Sequence, residues 1–207
     1  MRVAFLVRYD FYDKFGGDTN QIEKYKKYWI SEGANVDIIT NKKFKKDYDA
    51  YIVVNIDRFL ETFHFLKELK KNNLLGKTFF LTIHHSYQDI EYFEKKSRKG
   101  INGFLTGAFG FFGREKIKSI VLGWRKKEYF LWSLYLFFIS EKKFIHEIKG
   151  DIKFIFIAMG EKDIFEKDYN LKVINYIMTR NGCDVDNFSL EIEEKRDIDV
   201  LISGRIE

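Results

Sequence analysis

Short apolar runs alternate with amphipathic stretches along the first half of the chain. The runs are of strand length and rich in β-branched and aromatic residues, which predicts buried strands. They occupy residues 3–7, 36–39, 50–56 and 78–83. Apolar residues at helical spacing predict helices at 20–32 and 59–71. Strands that alternate with helices are typical of a parallel sheet covered on both faces, so the pattern predicts an α/β, Rossmann-like open parallel sheet.

The second half continues this alternation less regularly. Residues 101–113 are rich in glycine and phenylalanine without a clear period, which predicts a loop with short helical pieces. Further along, the pattern predicts helices at 114–132 and 141–148, and a fifth and a sixth strand at 134–139 and 154–157. Beyond Gly160 the sequence is polar and acidic, and we expect a connector with one helix at 171–180.

Charge is distributed unevenly and suggests where one unit ends. Residues 1–149 carry 28 Lys and Arg against 18 Asp and Glu, whereas residues 150–207 carry 8 against 13. Together with the periodicity, this predicts an N-terminal Rossmann-like domain at 1–160 and a connector at 161–197. Residues 198–207 read as the first strand of a second domain that is missing from this sequence, so we expect a truncated two-domain protein.

Composition restricts the compartment and the partners. The single Cys183 cannot form an internal disulfide, and the apolar start turns polar at Arg8, too early for a signal peptide. The longest apolar run is well below the roughly 20 residues that a spanning helix needs. These features predict a cytoplasmic protein. The net charge of +5 would favour an anionic partner, but nucleic-acid binding has only this charge in its favour, and we expect none.

The connection after the first strand contains Gly16, Gly17, Asp18 and Thr19 at the start of a helix. It lacks both the dinucleotide fingerprint and the Walker sequence, which disfavours a nicotinamide enzyme and a P-loop ATPase. Free N–H groups at a helix N-terminus favour a phosphate or a sugar oxygen, and glycines allow its close approach. The alternative is an ordinary turn with a helix cap, in which Asp18 and Gln21 have capping-box spacing.

The fourth predicted strand ends in His84 and His85. Ligands of open parallel sheets bind outside the carboxyl ends of the strands, where a histidine could accept a proton from a sugar hydroxyl. The alternative is a polar residue that only hydrogen-bonds a backbone carbonyl. No Cys or His cluster has metal-ligand spacing, so neither a metal nor a cofactor is expected.

Taken in order, these segments resemble the N-terminal half of a GT-B glycosyltransferase of the retaining, nucleotide-sugar-dependent family 4 type. The matching segments are the Gly16-Gly17 turn, the Thr-x-His end of the fourth strand, a Ser140-Glu141 pair before a short helix, a glycine at 160, and a final strand ending in Gly204-Arg205. The resemblance spans essentially the whole chain.

The resemblance implies a role for each matched residue. His84 would be catalytic, beside the transferred sugar, and Gly16, Gly17, Asp18, Thr19 and His85 would bind substrate. Arg205 would bind the donor diphosphate, a role that suits a guanidinium. The partners would be a nucleotide-sugar donor and a glycan or lipid-linked acceptor in surface polysaccharide or glycoconjugate synthesis. Because the rest of the donor site lies beyond residue 207, we expect the isolated chain to be inactive.

Two questions stay open at this stage. The first is whether the chain is instead a non-catalytic, Rossmann-like module that binds a glycan or a partner. The second concerns the aromatic residues of 103–113 and the segment Trp124, Arg125, Lys126 and Lys127 with Trp132. They could dock on the inner face of an anionic membrane, or fill the core beneath the sheet, and the abundance of phenylalanine favours the core.

Overall fold

The computed structural model describes residues 1–40, 43–97 and 101–179, which contain a sheet of six parallel strands. The strands are β1 Arg2–Leu6, β2 Asn35–Ile39, β3 Ala50–Val54, β4 Thr78–Leu81, β5 Lys153–Phe156 and β6 Tyr176–Met178. Their order across the sheet is β2-β1-β3-β4-β5-β6, and every neighbouring pair is parallel. The predicted α/β fold with an open parallel sheet is confirmed.

Seven α-helices accompany the sheet in the described part of the chain. They are α1 Gly17–Ser31, α2 Phe59–Lys71, α3 Tyr87–Ser97, α4 Ile101–Arg125, α5 Phe130–Phe138, α6 Glu141–Ile148 and α7 Met159–Tyr169. Four of them, α3 to α6, lie between β4 and β5 in the sequence. The connection between these two strands is therefore a helical insertion rather than a single crossover helix.

The two faces of the sheet pack against different helices because side chains alternate along each strand. Val3 and Phe5 of β1 belong to a cluster with Ile22 of α1, and the Phe5 ring contacts Trp29 at 5.6 Å between centroids. On the other face, Ala4 and Leu6 belong to the larger cluster, which includes residues of α2, α4, α5, α6 and α7. Helices α1 and α2 thus cover opposite faces.

Three sequence-based predictions of elements were wrong. Residues 134–139, predicted as a strand, lie mostly in α5, because a short apolar run fits a buried strand and a helix equally well. Residues 101–113, predicted as a loop, belong to α4, in which only Gly110 departs from helical angles, with φ 66°. Residues 171–180 contain strand β6, and the helix of this region is α7.

Glycine at 110 has a structural reason. A positive φ is costly for residues with a Cβ atom, and a Cβ at this position would lie 3.0 Å from Oε1 of Glu91. The same Glu91 oxygen accepts a hydrogen bond from the backbone N–H of Phe111 over 2.6 Å. The kink therefore redirects α4 while the freed N–H group stays paired.

Some of the predictions fall on residues that the structure does not describe. The structure does not describe residues 180–207, which contain Cys183, Gly204, Arg205, the predicted strand at 198–207 and the part of the connector from 180 to 197. The division into domains stays a prediction.

Candidate functional site

The strand order places a topological switch point at the carboxyl edge of the sheet. The chain leaves β1 toward β2 on one side and returns to β3 on the other, with α1 and α2 on opposite faces. Open α/β sheets bind their ligands at such a switch point, outside the carboxyl ends of the strands. The residues after β1, β3 and β4 are therefore the first candidates, and the C-terminal rim will denote the segments 8–19, 55–58 and 82–86.

Arg8 organises the loop after β1. Its guanidinium, which is 5% exposed, donates to Asp18 through Nε at 2.8 Å and to Asp10 through Nη1 at 2.8 Å. It also donates to Thr19 Oγ1 at 3.1 Å and to the carbonyl oxygen of Lys14. One buried cation thereby fixes the whole turn that leads into α1.

This arrangement assigns different roles to the predicted residues of the turn. The side chains of Asp18 and Thr19 point inward at Arg8, so they hold the loop rather than face solvent. A Cβ atom at Gly16 would lie 3.0 Å from Asp18 Oδ1, whereas a Cβ at Gly17 would meet nothing within 4 Å. Gly17 therefore leaves open space beside the first turn of α1.

Asp10 and Glu61 are buried carboxyl groups that both interact with the charge of Arg58. Burial acts to raise the pKa of Asp10, but the hydrogen bond from Arg8 and the charge of Arg58 outweigh it and lower that pKa. Burial raises the pKa of Glu61 to about 7, because the charge of Arg58 compensates only in part. Oδ2 of Asp10 and Oε1 of Glu61 are buried without a hydrogen-bond partner among the described residues.

The loop after β3 carries Asp57, which contacts both histidines that follow β4. Asp57 Oδ1 lies 3.3 Å from Nδ1 of His84, and Oδ2 lies 3.2 Å from Nδ1 of His85. The hydrogen bonds from the two histidines lower the pKa of Asp57 against the opposing effect of burial. Asp57 is therefore an anion that links β3 to β4 at the rim.

The two histidines differ in their access to a ligand. The His84 side chain is 0% exposed, and its Nε2 lies 3.0 Å from Oδ2 of Asp168 in α7. Both of its ring nitrogens thus face carboxylates. The His85 side chain is 70% exposed, and its Nε2 has no hydrogen-bond partner among the described residues. The hydrogen bond to Asp57 raises the pKa of His85, with burial opposing the shift.

Aromatic rings enclose His84 on the side away from solvent. The rings of Tyr87, Phe165 and Tyr169 lie 4.7, 5.5 and 5.9 Å from the imidazole, centroid to centroid. The hydroxyl groups of Tyr87 and Tyr169 are 2.6 Å apart, and burial raises both of their pKa values. His84 is thus a packed, doubly hydrogen-bonded group that supports Asp57.

The backbone before His84 is held in an unusual conformation. Ile83 has φ 43°, and the left-handed region is unfavourable for a β-branched residue. Glu161 of α7 secures the segment by accepting hydrogen bonds from Thr82 Oγ1 at 2.5 Å and from His84 N at 2.9 Å. Its other oxygen accepts from Ile157 N at 2.7 Å. Strained residues of this kind concentrate at functional sites.

The structure brings most of the sequence-predicted site residues to one edge of the sheet. Gly16, Gly17, Asp18 and Thr19 follow β1, and His84 and His85 follow β4, two strands away. Arg205 lies outside the described residues. The assignment of roles to these residues, including catalysis by His84, stays a prediction, and the accessible nitrogen belongs to His85.

Sequence reasoning missed Arg8, Asp57, Arg58 and Asp168. Arg8 and Asp57 follow apolar strands, so the position of a charged residue just beyond a strand was an available signal. Asp168 could not be found, because the helix that carries it was predicted further along the chain. In the part of the chain that the structure describes, no group of three or more His, Cys, Asp or Glu residues could hold a metal ion.

Comparisons with known proteins add no family to this geometry. No protein-family model, no curated protein and no solved structure matches the chain. Functional inference therefore depends on the site itself.

Proposed function

We propose that the chain is the acceptor-side domain of a glycosyltransferase that transfers a sugar from a nucleotide-sugar donor to a glycan or lipid-linked acceptor. One observation carries the proposal. At the rim beside the switch point, Asp57 accepts a hydrogen bond from Nδ1 of His85 over 3.2 Å, which leaves Nε2 of an exposed histidine directed away from its carboxylate partner. A carboxylate that fixes the tautomer of a histidine is the usual support of a general base.

In this proposal His85 acts on the acceptor. Nε2 takes the proton of the acceptor hydroxyl while the acceptor oxygen forms its bond to the anomeric carbon of the donor. The bond from that carbon to the diphosphate breaks, and the diphosphate leaves with the electron pair. Asp57 stabilises the imidazolium that results, and His84, held between Asp57 and Asp168, keeps the carboxylate in place.

Two further groups at the rim suit sugar or phosphate oxygens. The N–H groups of Gly17 and Asp18 in the first turn of α1 have no acceptor among the described residues, and open space lies beside Gly17. Arg58 is 39% exposed and 3.8 Å from Asp10, so its guanidinium retains donors for a ligand. Both groups follow strands that border the switch point.

Calorimetric titration of the purified chain with acceptor-like glycans and with nucleotide diphosphate sugars tests the proposal. We expect glycan binding that His85→Ala weakens at least tenfold. His146→Ala is the matched control, because it removes an exposed histidine whose Nε2 contacts the carbonyl oxygen of Tyr169 instead of a rim carboxylate. Absence of glycan binding, or equal binding by both variants, would contradict the proposal.

The second candidate is a non-catalytic glycan-binding module. The enclosure of His84 favours it, since the histidine in the Thr-x-His motif has no nitrogen left for a substrate. Sugar transfer by a protein that includes the donor-side residues would exclude this candidate. Glycan binding without transfer in such a protein would support it.

A further inference from the structure

Helix α5 exposes apolar side chains where a surface helix normally carries polar ones. All of its residues except Ser133 are apolar or aromatic. Ser133, Trp132 and Leu136 are the buried residues of this helix. The Ser133 hydroxyl donates a hydrogen bond to the carbonyl oxygen of Phe130. The only aliphatic hydroxyl of this helix therefore faces inward. A helix that is apolar all round is normally buried on every side. The described residues leave one side of α5 exposed.

The outward side of α5 forms a continuous stripe. Leu131 and Phe138 are 78% and 85% exposed, and Leu134 and Tyr135 between them are 37% and 47% exposed. These four residues, the α5 stripe, have the i, i+3, i+4, i+7 spacing of one helix face. Trp124, at the end of α4, is 74% exposed and contacts the ring of Phe130 at 6.3 Å, which extends the apolar surface beyond the start of α5.

Basic residues flank the α5 stripe at both ends. Arg125, Lys126 and Lys127 are exposed just before α5. At the other end, Tyr135 and Phe138 line a groove of about 730 Å³ between α2, α5 and α6. Four lysines and one glutamate also line this groove, which gives it a net charge of +3. We call it the lysine groove; its lysines are Lys67, Lys70, Lys71 and Lys143.

The cations of the lysine groove are only partly neutralised by the protein. Lys70 pairs with Glu147 at 2.8 Å, whereas Lys71 and Lys143 form no salt bridge among the described residues. The ammonium group of Lys67 lies 3.4 Å from the centroid of the Tyr135 ring. Anionic head groups would supply the missing counter-charges, and the aromatic residues beside them would enter the interfacial layer.

We propose that the α5 stripe and the lysine groove dock the protein on an anionic lipid bilayer. Among the described residues no helix is long and apolar enough to cross a membrane, and the docking is by insertion of side chains into the interface. A second copy of the chain is the less favoured occupant. A two-fold interface centred on α5 would bring the lysine-rich margins of both copies close together, where like charges repel.

The surface is independent of the sugar chemistry proposed for the rim. Trp132 Nε1 donates to the carbonyl oxygen of Leu60, which places the first turn of α5 beside the first turn of α2. Two lysines of the groove, Lys70 and Lys71, lie toward the C-terminal end of α2, about 15 Å along that helix from Leu60. Vesicle binding is measured without any sugar, so its outcome does not depend on the glycosyltransferase proposal.

Co-sedimentation of the full chain with vesicles tests the docking proposal. We expect binding to vesicles of phosphatidylcholine and phosphatidylglycerol in equal parts, and at least tenfold weaker binding to phosphatidylcholine alone. The variant Leu131→Ser with Phe138→Ser should lose at least tenfold in binding. Ile174→Ser, which changes a residue that is 92% exposed and lies outside α5 and the groove, should bind like the wild type.

A charge variant with a matched control completes the test. Replacement of Lys70, Lys71 and Lys143 by Gln should weaken binding to the anionic vesicles by about two orders of magnitude, at about fivefold for each lysine near the surface. Replacement of the exposed Lys24, Lys27 and Lys45 by Gln changes the net charge equally and should weaken binding less than tenfold. Circular dichroism verifies that each variant is folded.

Three results would overturn the proposal. The first is absence of wild-type binding to the anionic vesicles. The second is equal loss of binding in the groove variant and its charge-matched control. The third is a dimer in sedimentation velocity that Leu131→Ser with Phe138→Ser converts to a monomer, without any change in vesicle binding, because the α5 stripe would then be a self-association surface.

Discussion

Asp57 Oδ2 accepts a hydrogen bond from Nδ1 of His85 over 3.2 Å, across the ends of β3 and β4. The opposite oxygen of the same carboxylate contacts His84 at 3.3 Å. A single anion therefore connects an exposed histidine to a buried one. The exposed ring has a nitrogen available for a ligand, and the buried ring holds the anion that orients it.

The replacement Asp57→Asn should lower the pKa of His85. The hydrogen bond to Asp57 is the largest cause of the raised pKa, and an amide supports the imidazolium less than a carboxylate does. The ring resonances of His85 followed by NMR against pH measure this shift. Asp168→Asn is the control, since Asp168 contacts His84 and the Tyr87 N–H but not His85. Equal shifts in both variants would contradict the assignment.

The same pKa shift predicts how His85 contributes to stability. A folded-state pKa above the ordinary value of 6.5 means that the protonated ring stabilises the fold. That contribution is fully present below the unfolded-state pKa and is lost as pH rises through the folded-state pKa. Urea unfolding across this window should show the loss in the wild type and a smaller one in His85→Gln. A larger loss in the variant would refute the prediction.

The replacement Glu61→Gln should stabilise the protein at alkaline pH. Because burial raises the folded pKa of Glu61 from 4.5 to about 7, the native state binds the extra proton and wild-type stability falls as pH rises between these values. The shift corresponds to about 3 kcal/mol at the upper limit. We expect similar unfolding free energies of wild type and variant below pH 4.5, and a more stable variant above pH 7. Urea unfolding measures both, and parallel pH curves would contradict the prediction.

The replacement Gly123→Ala should separate α4 from α5. A Cβ atom at this position would lie 2.2 Å from Ser133 Oγ, 2.6 Å from Ser133 Cβ and 3.2 Å from the carbonyl oxygen of Tyr129. Because two of these atoms are fixed by the backbone, we expect a loss of about 1–3 kcal/mol in unfolding free energy.

Gly107→Ala provides the control for this substitution. Gly107 also lies in α4, but a Cβ there would meet nothing within 4 Å. Alanine has the higher helix propensity, so this variant should gain up to about 1 kcal/mol. Thermal or urea unfolding compares the two variants. A Gly123→Ala protein as stable as Gly107→Ala would show that the helices are not in close contact.

The replacement Glu161→Ala should release the strained segment before His84. Glu161 accepts hydrogen bonds from Thr82, His84 and Ile157, and hydrogen bonds to a charged group contribute about 1.5–3 kcal/mol each. We expect a loss of unfolding free energy of a few kcal/mol, and faster amide exchange at His84. Asp163→Ala, also in α7 and exposed, is the control. Unchanged exchange at His84 would contradict this role.

The strands of the first half could be predicted because their apolar runs are bounded by charge and glycine. Residues 59–71 were predicted as a helix and form α2 with the same limits. The insertion was harder to predict, because α5 is a nine-residue apolar run with no polar side to reveal its period. Its close packing on α4 at Gly123 is a tertiary contact that the local pattern does not contain.

The sequence predicted at which edge of the sheet the site lies, but not which side chains contact one another there. His84 and His85 follow an apolar strand, and the parallel sheet places them at the same edge as Gly16 and Gly17. Which histidine faces solvent depends on Asp168, more than 80 residues further along the chain from both. His84 turns inward because it packs against Tyr87 of α3 and against Phe165 and Tyr169 of α7, contacts that the local sequence does not contain.

The rim beside the Asp57–His85 pair is the surface that we propose to bind a sugar. NMR of the histidine rings during titration with an acceptor-like glycan detects this binding at His85. We predict that the His85 resonances shift with saturation and that its pKa changes in the bound state, while those of His146 stay constant. A glycan that shifts His146 and leaves His85 unchanged, or one that shifts neither, would contradict the claim.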